Sequence, residues 1–166
     1  MVTEAPRRIA LLSIHPRHAE AILDGRKLVE LRRTRLSPYI SHVLMYATAP
    51  VKAVVGCFEV GRIDEGTKNS IWKSHRQTCA VSRSEFRQYF DGASRAFAIE
   101  IARVYRFEDP VALVSLPGVS RPPQSFQYLD FETVRGFLEK QSIVAKRLTE
   151  RGLHVFSQMS LIDVNG

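Results

Sequence analysis

The stretch Gly25 to Arg32 reads G-R-K-L-V-E-L-R and marks the point where a helical pattern gives way to an alternating one. On extended backbone alternate side chains share a face, so Glu30 and Arg32 project together while Val29 and Leu31 point to the opposite, apolar side. Just upstream, Pro16 suits the first turn of a helix, where its missing N–H is not needed. Ala19, Ile22 and Leu23 give that helix an apolar face, it runs to Asp24, and Gly25 ends it in a left-handed cap. Ionisable groups at a strand mouth beside a helix end suit a small anionic or polar ligand. The same spacing also fits a surface ion pair on a half-buried strand.

Working outward, Ile9 to Ile14 reads as a strand leading into the helix, and Leu28 to Arg33 as a second strand before a polar loop around Ser37-Pro38. Two more strands, His42 to Ala47 and Ala53 to Ile63, are joined through Thr48-Ala49-Pro50, and Gly56 inside the latter predicts a bulge or bend. A short helix carrying Ile71 and Trp72 is expected between Thr67 and Thr78. Ser82-Arg83-Ser84-Glu85 is a capping box opening a helix to about Phe90, closed by Gly92. Ser94 to Phe107 alternates as a long strand. Asp109 to Gln127 is Pro-rich and reads as loop, and Asp130 caps a final helix through about residue 151, leaving 152–166 as a tail. Residues 1–8 are polar and expected to be flexible. With no internal repeat or linker, the expectation is one α+β domain over residues 1–166: five or six mostly antiparallel strands closing into a small barrel, with helices packed around it.

Composition narrows the partners. A chain of 166 residues with 45% hydrophobic content can bury one sizeable core. Lys and Arg number 24 against 17 Asp and Glu, a formal charge of +7. This excess favours polyanions, nucleic acid first, through steering and counterion release. No apolar run approaches the length of a membrane span and no signal-peptide pattern opens the chain. Cys57 and Cys79 form neither a disulfide framework nor a paired zinc motif, so the expected setting is a reducing cytoplasm.

The pattern G-x-K-x-x-E-x-R between a first helix and the following strand resembles the signature of the ASCH domain family, within the PUA-like superfamily of small β-barrels. Leu11 to Ile14 followed by His15-Pro16, the strand pair V-L-M-Y-A-T-A-P and V-K-A-V-V-G-C-F-E-V, and Pro123 to Leu129 extend the resemblance over about residues 8 to 130. That last segment is similar to one in a bacterial branch described as predicted transcriptional regulators. The resemblance implies a PUA-like barrel that binds RNA or a modified nucleotide. Some members have been assigned ribonuclease activity. In another branch, the N4-acetylcytidine amidohydrolases, a Lys and a Thr three residues later form the catalytic pair, with a Glu further along. Here Lys27 matches, Glu30 stands at the Thr position and Glu85 aligns loosely with the third member, although its capping box explains it equally well.

The candidate ligand-binding residues are therefore Lys27, Glu30, Arg32, Tyr46, Ser13, Gln124, Phe126 and Tyr128. Lys27 offers a compact charge for phosphate and Arg32 a fork for phosphate or a base edge. Glu30 can accept from a base amino group or act as a general base. Tyr46, Phe126 and Tyr128 can stack on unpaired bases, whereas Trp72 reads as packing. Ser13 and Gln124 supply hydrogen bonds. The leading expectation is an RNA- or modified-nucleotide-binding module, with the ligand in a basic cleft between the first helix and the barrel. The alternative is a hydrolase, a ribonuclease or a modified-nucleoside amidohydrolase, working in the same cleft with Lys27 and Glu30 as catalytic residues. DNA is the second-choice partner, no membrane is expected, and the sequence does not fix the oligomeric state. No cofactor is expected, beyond a loosely held divalent metal in the nuclease case. His15 and His18, three apart at the helix start, lack a third ligand at firm spacing, so no metal site is assigned.

Overall fold

The computed structural model describes residues 8–149 and 152–159, with side chains as far as residue 142. The first strand, β1 (Arg8–Ile14), is apolar in nearly every position because both of its faces are covered. Ile9 and Leu11 enter one core, while Ala10, Leu12 and Ile14 enter another. Helix α1 (Pro16–Leu23) follows, with Pro16 in its first turn, and Gly25 leaves the helix end at φ 77°. Both features follow from the sequence reading.

Next come β2 (Val29–Arg32), β3 (Ile40–Ala47) and β4 (Ala53–Gly66). Helices α2 (Lys68–His75) and α3 (Arg83–Tyr89) precede the long strand β5 (Ala96–Val111). The expected capping box of α3 is present, with Ser82 and Glu85 bonded reciprocally. The sheet is mostly antiparallel, and β1 and β3 form its parallel pair. Strand β5 organises it. One edge of β5 pairs with β4 along its length, and the opposite edge is shared between β2, at Phe97 to Glu100, and a C-terminal strand at Arg103 to Phe107. Register shifts along β4 bend the β4–β5 pair.

Two stretches differ from the sequence expectation. Phe126–Asp130, expected as loop as far as Gln127, is a strand, β6, antiparallel to β1 with Leu12 opposite Phe126 and Ala10 opposite Tyr128. It gives β1 a backbone partner on the edge that β3 leaves open. The final helix, expected over residues 130–151, is only α4 (Phe131–Leu138), capped by Asp130 as anticipated. Beyond it the chain turns back into β7 (Ile143–Thr149) and β8 (Gly152–Met159), where helix and tail were expected. The β-branched residues Ile143, Val144 and Thr149 suit a strand, and the second half of β5 offers the unpaired edge that overrides the helical pattern. Strands β1 to β6 thus supply the six expected, and β7 and β8 extend the sheet to eight. The expected flexibility of residues 1–8 falls outside the described residues except for Arg8, which begins β1. Residues 160–166 of the expected tail also lie outside them.

Three cores hold the layers together. Val134 and Leu138 of α4 cover the face carrying Leu44, Tyr46, Cys57 and Tyr105. Ala19, Ile22 and Leu23 of α1 cover the face carrying Val43, Met45 and Phe58. A smaller core packs Ile71 of α2 and Phe86 and Phe90 of α3 on Val29 and Leu31 of β2 and on Ala96 and Ala98 of β5. Cys57 and Cys79 are buried free thiols. No described helix is long and apolar enough to cross a membrane.

Gly56 marks the expected irregularity, and the register breaks between Val54 and Gly56. A Cβ there would collide with the Tyr105 carbonyl oxygen and lie 2.9 Å from Leu23 Cδ2. Gly56→Ala should therefore lower stability by about 1–3 kcal/mol through overpacking. Urea unfolding should show a lower midpoint with an unchanged slope.

Candidate functional site

The short strand β2 places its ionisable side chains where the sequence alternation requires. Val29 and Leu31 go into the third core, and Glu30 and Arg32 face the other way. There they form the floor of a cleft of about 600 Å³. One wall is the start of α1, with His15, Arg17 and His18. The other is α3 with Val81, two residues before it, the helix contributing Glu85, Phe86 and Tyr89. Ser13, Ile14, Lys27 and the edge of Leu31 complete the lining.

The floor is a buried chain of charge. Lys27, Glu30 and Arg32 are 2%, 6% and 8% exposed, far too little for a solvated surface pair. Glu30 lies between the two cations, with Lys27 Nζ 3.8 Å from one carboxylate oxygen and Arg32 Nη1 3.6 Å from the other. The cations are tied elsewhere. Lys27 Nζ donates to the Cys79 carbonyl at 2.7 Å, and Arg32 donates to the Ser13 carbonyl at 3.3 Å, the Ser125 carbonyl at 2.9 Å and Ser125 Oγ at 2.7 Å. Among the described residues no hydrogen bond reaches the Glu30 carboxylate. It is therefore held in place by charge while its lone pairs remain available to a ligand in the cleft.

The mouth is set by α1 and α3. His15 caps α1, its Nδ1 accepting from the Arg17 backbone N–H at 3.2 Å, so its Nε2 carries the proton in the neutral ring. Arg17 reaches across to Glu85, 2.6 Å away, and ties the two walls together. Hydrogen bonding from Ser82 and then from Arg17 holds the Glu85 carboxyl down to about 2, so it is an anion at any working pH. Burial, followed by the charge of Lys27, Arg17 and His15, lowers the His18 imidazole to about 4. It is thus neutral at pH 7, resists protonation, and can take part in hydrogen bonds only as the neutral ring.

The candidates from sequence divide into groups. Lys27, Glu30, Arg32 and Ser13 line this cleft, although Ser13 Oγ is committed to the Pro123 carbonyl at 2.6 Å. Tyr46 does not line it. Its ring is 6% exposed and packs in the first core, because its position on β3 faces α4. Gln124 and Phe126 line a separate shallow groove along Arg121 to Gln127. Phe126 packs against the second core and stacks on Tyr128 at 5.1 Å. Tyr128 accepts from the Ser37 N–H at 2.7 Å and supports the loop after β2. Trp72 packs on Phe86 at 5.0 Å, as expected. The sequence reading passed over Ser125, Arg17 and Tyr89. Ser125 holds Arg32 from 93 residues away, a pairing that no local spacing encodes. Arg17 and Tyr89 look like ordinary helix-surface residues until two helices face each other.

A curved, mostly antiparallel sheet with helices packed around it, and a basic cleft between the first helix and β2, define a PUA-like α+β domain. No family model matches the chain. The ASCH domain-containing ribonuclease of Zymomonas mobilis is 32% identical over 148 residues, covering 86% of this chain and 99% of that protein. The chain belongs to the ASCH domain family. The crystal structure of a tyrosine-to-phenylalanine mutant of the Zymomonas mobilis ASCH protein superposes with a TM-score of 0.75 at 30% identity, covering 82% of this chain and all 100% of that one. A Ureaplasma parvum protein named ATP synthase subunit alpha is 31% identical over 129 residues, but the chain spans only 16% of its length. None of these relatives is described as a transcriptional regulator, and nothing in the comparisons supports that expectation.

Two outcomes test the site. Lys27→Met removes one of the two cations beside the buried Glu30 and leaves the Cys79 carbonyl without its donor, and should lower stability by roughly 3 kcal/mol in chemical denaturation. His18 has its folded pKa lowered from 6.5 to about 4. As pH falls from 6.5 toward 4, the unfolded chain takes up a proton that the native state refuses, so His18 makes stability fall across that window. His18→Gln should flatten this part of the pH–stability profile.

Proposed function

We propose that the protein is a ribonuclease that binds single-stranded RNA in the cleft between α1, β2 and α3. The observation carrying this reading is Glu30, a buried carboxylate that accepts no hydrogen bond among the described residues, between two cations, on the floor of a cleft in a chain of charge +7. A ribonuclease of the same family, 32% identical and matched over nearly its whole length, supports it.

The chemistry of the lining favours RNA over an acylated nucleoside. Amide hydrolysis through a covalent intermediate needs an activated hydroxyl or thiol. The Thr of the amidohydrolase pair is Glu30 here, and Ser13 Oγ, the cleft's serine hydroxyl, already donates to Pro123. RNA brings its own nucleophile. Glu30 would take the proton of the 2′-hydroxyl as the 2′-oxygen bonds to phosphorus and the bond to the 5′-oxygen breaks. Lys27 and Arg32, fixed on either side of Glu30, place positive charge beside the phosphate as negative charge builds on its oxygens. His15 presents Nε2–H at the mouth, where it can donate to the departing 5′-oxygen. Binding without cleavage, the leading expectation from sequence, is the first half of the same cycle.

The test is a labelled single-stranded RNA incubated with purified protein, with magnesium or with EDTA, and resolved on a gel. Shortened RNA is expected, and Glu30→Gln should slow its appearance by about a hundredfold or more while the fold and RNA retention persist. Intact RNA after long incubation with a protein that binds it would return the chain to a binding module. Arg17→Ala, which removes an exposed cation at the mouth, should weaken binding and reduce its salt dependence.

A further inference from the structure

A second cluster of ligating side chains lies outside the cleft, where α2 ends against the sheet. Asp64 comes from the end of β4, His75 is the last residue of α2, and Glu100 comes from β5. One ligand atom from each lies within 4.8 Å of those of the other two. The His75 ring is buried, 6% exposed, and its Nε2 is 2.8 Å from Asp64 Oδ2.

We propose that Asp64, His75 and Glu100 bind a divalent transition-metal ion of the zinc class, which clamps α2 onto the β4–β5 pair. Imidazole nitrogen with two carboxylates is a ligand set for such ions, whereas magnesium and calcium take oxygen alone. Metal–ligand bonds of about 2.0–2.2 Å put neighbouring ligand atoms roughly 3.3 Å apart. The His75–Asp64 pair is already at 2.8 Å and every pair lies within 4.8 Å, so small side-chain rotations close the site. Water completes the coordination from the solvent side.

Two further features point to a cation here. Arg62 already occupies the position between the carboxylates, with Nε 2.8 Å from Asp64 Oδ1 and Nη2 2.9 Å from Glu100 Oε1. Its side chain is 68% exposed, so the guanidinium is a surface group that can swing into solvent when a doubly charged ion arrives. The carboxylates are thus convergent on positive charge before any metal binds. His75 also ends its helix, where the last carbonyls of α2 favour a cation.

The experiment is equilibrium dialysis of metal-stripped full-length protein against zinc, with cobalt(II) as a visible-absorption probe. One equivalent is expected, with d–d bands shifted from aquo-cobalt and a rise in melting temperature on zinc addition. His75→Gln should weaken binding by more than about a hundredfold, since losing a ligand exceeds the effect of losing an outer partner. Arg62→Gln, which removes the competing guanidinium, should tighten it. Glu100→Gln, at a partly exposed position, serves as a second ligand variant should His75→Gln fail to fold. A double His15→Gln/His18→Gln variant should bind as the parent does. The proposal is overturned if no equivalent is retained, if binding survives in both ligand variants, or if it vanishes in the His15/His18 variant.

Discussion

The floor of the cleft depends on one constraint: Glu30 is buried between Lys27 and Arg32, and neither cation can be left unpaired. Burying charge this deeply is unfavourable unless every group finds partners. The partners come from all around the site. Lys27 draws in the carbonyl of Cys79 from the loop after α2. Arg32 draws in Ser13 at the end of β1 and Ser125 just before β6. Strand β2 and the lysine two residues before it thereby fix three distant segments, and the cleft walls follow from where those segments lead. Arg32 performs this through its planar fork, which a lysine could not reproduce.

The same arrangement explains why the floor was legible in the sequence and the walls were not. Period-two alternation after a helix-ending glycine put Glu30 and Arg32 on one face, and strand geometry alone ensured that they stay together. The helix starts at Pro16 and Ser82 were likewise local matters of proline placement and capping chemistry. Tyr46 shows the limit. Its place near a strand end resembled an exposed ring, but β3 is covered on both faces, and only the packing of α4 reveals that. Phe126 and Tyr128 looked like loop aromatics because prolines precede them, whereas pairing with β1 made them strand residues.

The C-terminal third shows tertiary context overriding local pattern. The spacing of Val134, Phe137, Leu138, Ile143, Val144 and Leu148 satisfies a helix, and the chain obeys it only as far as Leu138. Strand β5 is long enough to outrun β2, and the edge left open beyond Glu100 accepts β7. Nothing within residues 139–149 announces that edge. It is a property of β5, more than thirty residues away.

The Arg17–Glu85 pair across the mouth has a consequence for what the cleft admits. Both partners are substantially exposed, so their mutual attraction is weak and easily exchanged. A polyanion can offer Arg17 a phosphate in place of the carboxylate and leave the total of ion pairs unchanged. A neutral molecule can offer nothing equivalent and must enter with the strap still fastened. If RNA is the ligand, as proposed, this pair would act as an anion-exchange latch, filtering by charge before the buried floor has made any contact at all.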